Sequence, residues 1–353
     1  MEIFVGLLFG LVLFAIWRMW RERNGTIDKP KTDPAFDESE GQPEVAEAVD
    51  LLRAEDWRGL TRLYGRLSPS DRYHLIDSLG RMATSPPAAP PEEADSSVLT
   101  ILGGARLIQG LKLSGQGPAR SVVKANMDRM KEAISLADRE LREASSRNPD
   151  DSTNLALQIR AESAGLRDSG RVNNLVGRIQ VSGEDNIYAA LNHLLFHWPG
   201  FEGSAEGMWK VANEWANAGP NGAWLAIPAR AHIEEWSYAM HFCPHGSPER
   251  DTMISLQSDE GFKRHLANLD DMFWSALSRM PINGAEFSFA HNHFAFLMHI
   301  FRVDDRAGRH LDLIGEHISR HPWSLLPTGA LKPTQLLADL RKQYGLPLLG
   351  TRS

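Results

Sequence analysis

The sequence predicts an all-α protein in which an N-terminal transmembrane helix precedes an α-solenoid of the tetratricopeptide-repeat (TPR) kind. An unbroken apolar run, Ile3 to Trp17, opens the chain. Apolar residues then recur at spacings of three and four along most of the remaining sequence, which is typical of amphipathic helices. No segment shows the alternation of β-branched residues that indicates strands. Helical pairs separated by short polar turns favour a helical-repeat array.

The apolar run indicates a membrane anchor over residues 1–23. Continued to Trp20 it has eighteen residues, about 27 Å of helix, which spans the hydrocarbon core of a bilayer. A secretory signal peptide would need basic residues before the run and a cleavage site of small residues after it, but only Glu2 is charged before it. We therefore expect an uncleaved anchor that contacts the membrane through residues 3–20. Five basic residues between Arg18 and Lys31 predict a single-pass protein of the cytoplasmic membrane with its body in the cytoplasm.

Composition limits which functional and structural classes this protein can belong to. The net charge is −7, with 38 basic and 45 acidic residues, which argues against the basic face that nucleic-acid binding requires. A single cysteine, Cys243, excludes an intrachain disulfide framework and fits a reducing compartment. The chain is long enough to bury a sizeable core.

An acidic segment follows the anchor. Residues 24–43 contain Gly, Pro and Asp with few apolar side chains, and residues 33–50 carry seven acidic and no basic residues. This composition is typical of a solvated tether. We expect a helical-repeat domain over residues 44–345, interrupted by a proline-rich loop at 84–93, and a C-terminal tail over 346–353. Ser70 and Asp71 are expected to start one of the first helices.

The most regular pattern lies in the middle of the chain. Apolar residues alternate spacings of four and three from Val123 to Ala144, which predicts a helix with one apolar face. The sequence Asn148-Pro-Asp-Asp151 then ends this helix, because a residue that precedes proline avoids the helical region. Asp151 or Ser152 can cap the next helix. Weaker signals for a helix end followed by a new helix occur near residues 182–185 and 321–323.

Three stretches carry a family resemblance. They are Trp57-Arg-Gly-Leu within Leu51–Arg66, the helix end Glu143-Ala-Ser-Ser-Arg-Asn-Pro-Asp-Asp151, and Leu191-Asn-His-Leu-Leu-Phe-His-Trp-Pro-Gly-Phe-Glu-Gly-Ser204. Together they resemble an uncharacterised bacterial family of TPR-like helical-repeat proteins, a domain of unknown function, over about residues 45–345. The chain departs from the family pattern at His197, where Lys is expected, and in a longer turn at Pro199 to Glu202. The resemblance implies a helical-repeat fold and says nothing about catalysis.

Histidine spacing gives the weak metal candidates. His193 and His197 are four residues apart on a predicted helix, so their rings share a face. Leu194 stands where a metalloprotease has its Glu, and no third ligand is evident. The compact set His241, Cys243 and His245 lacks a fourth ligand. We therefore predict no metal site and no cofactor, and the sequence contains no P-loop, nucleophile elbow or dinucleotide fingerprint.

Tryptophans are concentrated in one stretch, where most are expected to fill the space between helices and one or two to anchor a partner. The candidate partner-binding residues are Trp198, Phe201, Trp209, Trp215, Trp224 and Trp236.

Two hypotheses follow. The leading one is a non-enzymatic, membrane-anchored scaffold that binds a protein or peptide partner at the inner face of a bacterial membrane. The alternative is a helical, metal-dependent enzyme whose site contains His193, His197, Glu234 and Glu235. Adjacent carboxylates on a helix point apart, so the Glu pair also fits a solvated face.

Overall fold

A computed structural model describes residues 38–84, 90–113, 124–326 and 333–347. These ranges contain sixteen α-helices and no strand, so the all-helical prediction is confirmed. The helices are α1 (Pro43–Arg53), α2 (Trp57–Arg66), α3 (Pro69–Met82), α4 (Ser96–Lys112), α5 (Lys124–Arg147), α6 (Ser152–Ala161), α7 (Ser169–Ser182), α8 (Ile187–Phe196), α9 (Ala205–Ala218), α10 (Ala226–His241), α11 (Pro248–Leu256), α12 (Glu260–Arg279), α13 (Gly284–Ile300), α14 (Asp304–Ile314), α15 (Arg320–Trp323) and α16 (Pro333–Gln343).

The predicted fold class needs a correction. Among the described residues, no helix is both long enough and apolar enough to cross a membrane, so a transmembrane helix is not part of the fold as the structure shows it. The predicted anchor at residues 1–23 lies outside the described ranges.

Side-chain caps explain where most of the helices begin. An Asp, Asn or Ser side chain accepts a hydrogen bond from a backbone N–H in the first turn, which satisfies a donor that the helix itself cannot. The capping residues of this kind are Asp56, Ser68, Asp95, Asp151, Asp168, Asn186, Ser204, Ser247 and Asp259. The predicted cap at Asp151 is confirmed. The predicted apolar face of α5 is also observed, since Met130, Ile134 and Leu141 are buried.

The contacts between helices differ from those of an open solenoid, in which each repeat touches only its neighbours. Helices α4 and α5 pair, as do α13 and α14, but α3 also packs directly against α13. A hydrogen bond between Ser70 and Glu286 joins them across 216 positions of sequence. The expected solenoid is therefore wrong in this respect, because an early helix packs against a late one and the array closes on itself.

Candidate functional site

Residues 38–42 lie across α3, α13 and α15, and we call them the acidic strap. Two successive backbone carbonyls of the strap are bound by α3. Ser78 donates its hydroxyl to the Glu38 carbonyl (2.5 Å), and His74 Nε2 lies 3.2 Å from the Ser39 carbonyl. Sequence composition indicated a solvated tether here, whereas this part of it is held by buried side chains, since Ser78 and His74 are 1% and 4% exposed. Residues 24–37 of the expected tether are outside the described ranges.

The first carboxylate of the strap meets a group of cations. Glu38 Oε1 accepts hydrogen bonds from Arg320 Nε (2.8 Å) and NH2 (2.6 Å). Arg81 Nε lies 4.0 Å from the other carboxylate oxygen. Lys112 donates to the Arg81 and Ala83 carbonyls. Burial lowers the pKa of Lys112, Glu38 opposes that effect, and Arg320 and Arg81 add to it. We call Arg81, Lys112 and Arg320 the basic cluster.

The second carboxylate, Glu40, occupies a different environment. It accepts a hydrogen bond from Ser288 of α13. Burial raises its pKa, and nearby His74 opposes that effect. Its φ of 48° places it in the left-handed region, which is uncommon for a residue other than glycine. The charged form of Glu40 is therefore disfavoured where the strap holds it, and its backbone conformation is strained as well.

Gly41 is required by the close approach of the strap to the residues after α14. Its φ is 78°, and a Cβ atom at this position would lie 2.6 Å from His317 Cε1. A side chain here would be strained in the left-handed backbone and would have to displace the His317 ring. The strap therefore combines one strongly held carboxylate, one carboxylate whose charged form is disfavoured and a glycine favoured by its backbone conformation and by the nearby His317 ring.

A cavity of about 460 Å³ lies beside the strap. Its apolar wall is formed by Leu67, Phe287 and Ile314, and the strap residues Glu40 to Gln42 form another wall. The Gln42 Nε2 atom is buried without a hydrogen-bond partner. The cleft that holds the strap thus continues into space large enough for several further side chains.

A second polar group is buried near the basic cluster. Arg230 donates to Glu234 (2.6 Å), to His293 Nε2 (3.0 Å) and to His321 Nδ1 (2.7 Å). Because Arg230 can only donate, both ring nitrogens must be acceptors, and both histidines are neutral. Burial first, and then Arg230, hold the pKa of each well below its ordinary value. The polar atoms of this group thus bind one another, and His321 connects the group to α15.

The four residues of the predicted enzymatic site do not form one cluster, because only His193 and His197 pack against each other. His193 Nδ1 accepts from the Trp215 indole (3.1 Å) and packs edge-on against His197. The Glu234 side chain instead binds Arg230, and Glu235 is hydrogen-bonded to Trp209. In the part of the chain that the structure describes, no group of three His, Cys, Asp or Glu side chains is placed to hold a metal ion.

The candidate partner-binding aromatics divide by burial. Trp198, Trp215, Trp224 and Trp236 are 2–6% exposed. Trp209 is half-buried, and Phe201 is 41% exposed. Of the six, Phe201 and Trp209 present appreciable surface to a partner, whereas the other four fill the core.

The residues of the cleft follow no sequence motif. Ser78, Ser288 and Arg320 are spread over more than 240 positions and come together only in the folded chain. The acidic run at residues 33–50 was the available signal, since it is long and free of basic residues, but its composition does not reveal its binding site.

Neither a protein-family model, nor a curated protein, nor a solved structure matches this chain. The resemblance to a TPR-like family stays a prediction.

Proposed function

We propose that this protein is a helical scaffold that binds a short, turn-forming segment of a partner protein in the cleft now filled by the acidic strap, whose own residues 38–41 form a turn. One observation carries the proposal: α3, α13 and α15 already hold a non-helical peptide segment through its backbone carbonyls and carboxylates. Hydrogen bonds to backbone carbonyls can form with a segment of any sequence. Arg320 and the space occupied by Gly41 instead select among sequences. The cleft therefore has both elements of peptide recognition.

The strap behaves as an internal ligand that a partner must displace. A short covalent link gives such a segment an effective concentration on the order of millimolar. Binding of an external peptide is therefore expected to be weak while the strap is docked. It should also become stronger when a strap contact is removed. The enzymatic alternative gains no support from these contacts, because its four residues have separate partners.

A peptide selection tests the proposal. Random twelve-residue peptides displayed on phage are panned against the full-length chain with the substitution Glu38→Gln, which weakens docking of the strap. Enriched peptides are then added to the unsubstituted chain, and hydrogen exchange is measured at the amides of residues 39–45. Peptides that enter the cleft should accelerate exchange there by displacing the strap.

The control is the Arg279→Gln chain, since Arg279 is exposed on the last turn of α12. It should bind the same peptides as the unsubstituted chain. The proposal fails when no peptide is enriched, or when enriched peptides bind and leave exchange at residues 39–45 unchanged.

A further inference from the structure

We infer that the partner segment is acidic and that its leading carboxylate replaces Glu38 in the basic cluster, within a pattern of Glu, any residue, a neutral hydrogen-bond acceptor and Gly. This inference rests on the proposed function and specifies the chemistry of the partner. The chain's own strap, Glu38-Ser-Glu-Gly41, fits this pattern at the first and fourth positions and departs from it at the third.

The first position requires a carboxylate because of the charges around it. Arg81, Lys112 and Arg320 are close together, and Asp77 forms an ion pair with Arg81. Glu38 supplies a second carboxylate. When the strap leaves, that carboxylate is lost while the three cations remain. An arriving carboxylate replaces the lost negative charge, and Arg320 can bind it with two N–H groups, as it binds Glu38.

The third position favours a neutral acceptor. Ser288 donates to Glu40, and a neutral amide oxygen can also accept this hydrogen bond. Asp77 also faces Glu40 and disfavours its charge, while His74 and Arg81 favour it, but the largest effect is burial. A Gln at this position keeps the hydrogen bond and avoids burying a charge. The strap is thus a weaker ligand than the cleft can accept.

The fourth position is glycine for steric reasons. His317 fills the space that a side chain would occupy, and the backbone is left-handed. A partner with Ala here must move the His317 ring or adopt another path. The pattern therefore combines one electrostatic, one polar and one steric requirement, and each can be changed separately.

The first experiment compares labelled peptides by fluorescence anisotropy with the full-length Glu38→Gln chain. The parent peptide copies residues 33–44. Its analogues carry Glu38→Gln, Glu40→Gln or Gly41→Ala. Loss of the leading carboxylate should weaken binding by about tenfold or more, because it removes a charge-assisted pair of hydrogen bonds. The Glu40→Gln analogue should bind more tightly than the parent because it avoids burying a charge, and the Gly41→Ala analogue should bind more weakly. A scrambled peptide of the parent's composition, which controls for net charge, should not compete.

The second experiment distinguishes weaker docking of the strap from loss of the arginine that binds the partner's leading carboxylate. Glu38→Gln and Arg320→Gln break the same ion pair, so both should accelerate hydrogen exchange at residues 39–45. Only Glu38→Gln should tighten binding of the parent peptide. Arg320→Gln should lose that binding, because the partner needs the same arginine, and Arg279→Gln should change neither readout.

The outcomes distinguish the inference from the proposed function. The requirement for a leading carboxylate is wrong if the parent peptide and its Glu38→Gln analogue bind equally well. It is also wrong if the Arg320→Gln chain binds the parent peptide without loss. Either result overturns the inference even when selected peptides still displace the strap. Selected peptides that enter the cleft without a leading acidic residue also overturn it while the proposed function stands. When no peptide enters the cleft, both are wrong.

Discussion

At the scale of the residue, Glu40 is held in an environment that disfavours its charged form. Its carboxylate is held where burial raises the pKa, next to His74, Asp77 and Arg81 of α3 and Ser288 of α13. A group whose pKa is raised on docking favours the docked state at low pH, and this contribution is lost as the pH rises through the docked pKa. Protonation of Glu40 therefore strengthens docking of the strap.

We predict that Glu40→Gln slows hydrogen exchange at residues 39–45 at pH 7, since the amide mimics the protonated acid. The difference from the unsubstituted chain should shrink as the pH falls towards the ordinary pKa of a carboxyl group, about 4.5. Exchange rates measured from pH 7 to pH 5, corrected for intrinsic chemistry, test this. Faster exchange in Glu40→Gln would show that the charge of Glu40 contributes to docking.

The aromatic residues differ sharply in what their removal should do. Trp224 is 2% exposed and stacks on Trp215 at a centroid distance of 5.5 Å. We predict that Trp224→Ala lowers the free energy of unfolding by about 3–5 kcal/mol. The same change at Phe201, which is 41% exposed, should cost less than about 2 kcal/mol. Urea denaturation measures both, and equal losses would contradict this division.

Composition located the tryptophan-rich stretch but could not divide it into core and surface. The residues lie in the turn before α9, on α9, in the short 3-10 helix Gly222–Leu225 and on α10, and each of the two α-helices packs against more than one neighbour. Whether Trp209 or Trp215 is covered depends on which helix packs there, and that is decided by contacts distant in sequence.

At the scale of the element, α3 and α13 share a cap. Asn283 precedes α13 without making a side-chain cap, and Asp71 from the first turn of α3 accepts the Ala285 N–H instead (2.8 Å). Asp71 also accepts from Ser68 of its own helix end. One carboxylate therefore fixes the starts of two helices that border the cleft.

We predict that Asp71→Ala lowers the free energy of unfolding by about 1–2 kcal/mol, as loss of a cap does. Because α13 carries Ser288, the substitution should also accelerate exchange in the strap. Asp259→Ala is the matched control, since Asp259 caps only its own helix through the Phe262 N–H (2.8 Å). It should lower stability by a similar amount and leave the strap unchanged. An identical response of the strap to both substitutions would rule out a specific role for Asp71.

Helix starts and stops were predictable because their signals are local. The expected start at Ser70 and Asp71 falls within the first turn of α3, and the expected stop before Asp151 is observed. The second role of Asp71 was not predictable, because its partner Ala285 is 214 positions away. Local capping rules describe one helix at a time.

At the scale of the whole molecule, the contact of α3 with α13 makes the strap site possible. An open solenoid would separate the start of the domain from its end, whereas here Glu38 reaches Arg320 across 282 positions. Periodicity predicts helices and their apolar faces, but closure depends on the accumulated rotation between successive pairs. Degenerate repeats leave that rotation undetermined, and so the site could not be found from the sequence.

Histidines with a lowered pKa are numerous between residues 193 and 321. Nine histidines of the described residues have a lowered pKa, and burial is the largest cause for each. Five carboxyl groups have a raised pKa, and they have the opposite effect on how stability depends on pH. Because the histidines are more numerous, they should dominate the dependence of stability on pH just below neutrality.

The pKa of His232 and that of His291 are lowered to about 3, and that of His193 to about 4. A group with a lowered folded-state pKa stabilises the fold above its unfolded pKa, here 6.5, and this stability is lost as the pH falls towards the folded value. At pH 5 each such histidine removes about 2 kcal/mol, and three together approach the total stability of an ordinary domain. We therefore predict a steep loss of stability between pH 6.5 and pH 4 in urea denaturation series.

His232→Phe, which keeps the ring contacts with Trp209 and Phe262, should reduce the slope by about one proton. An unchanged slope in that variant would mean that His232 is already protonated in the folded protein.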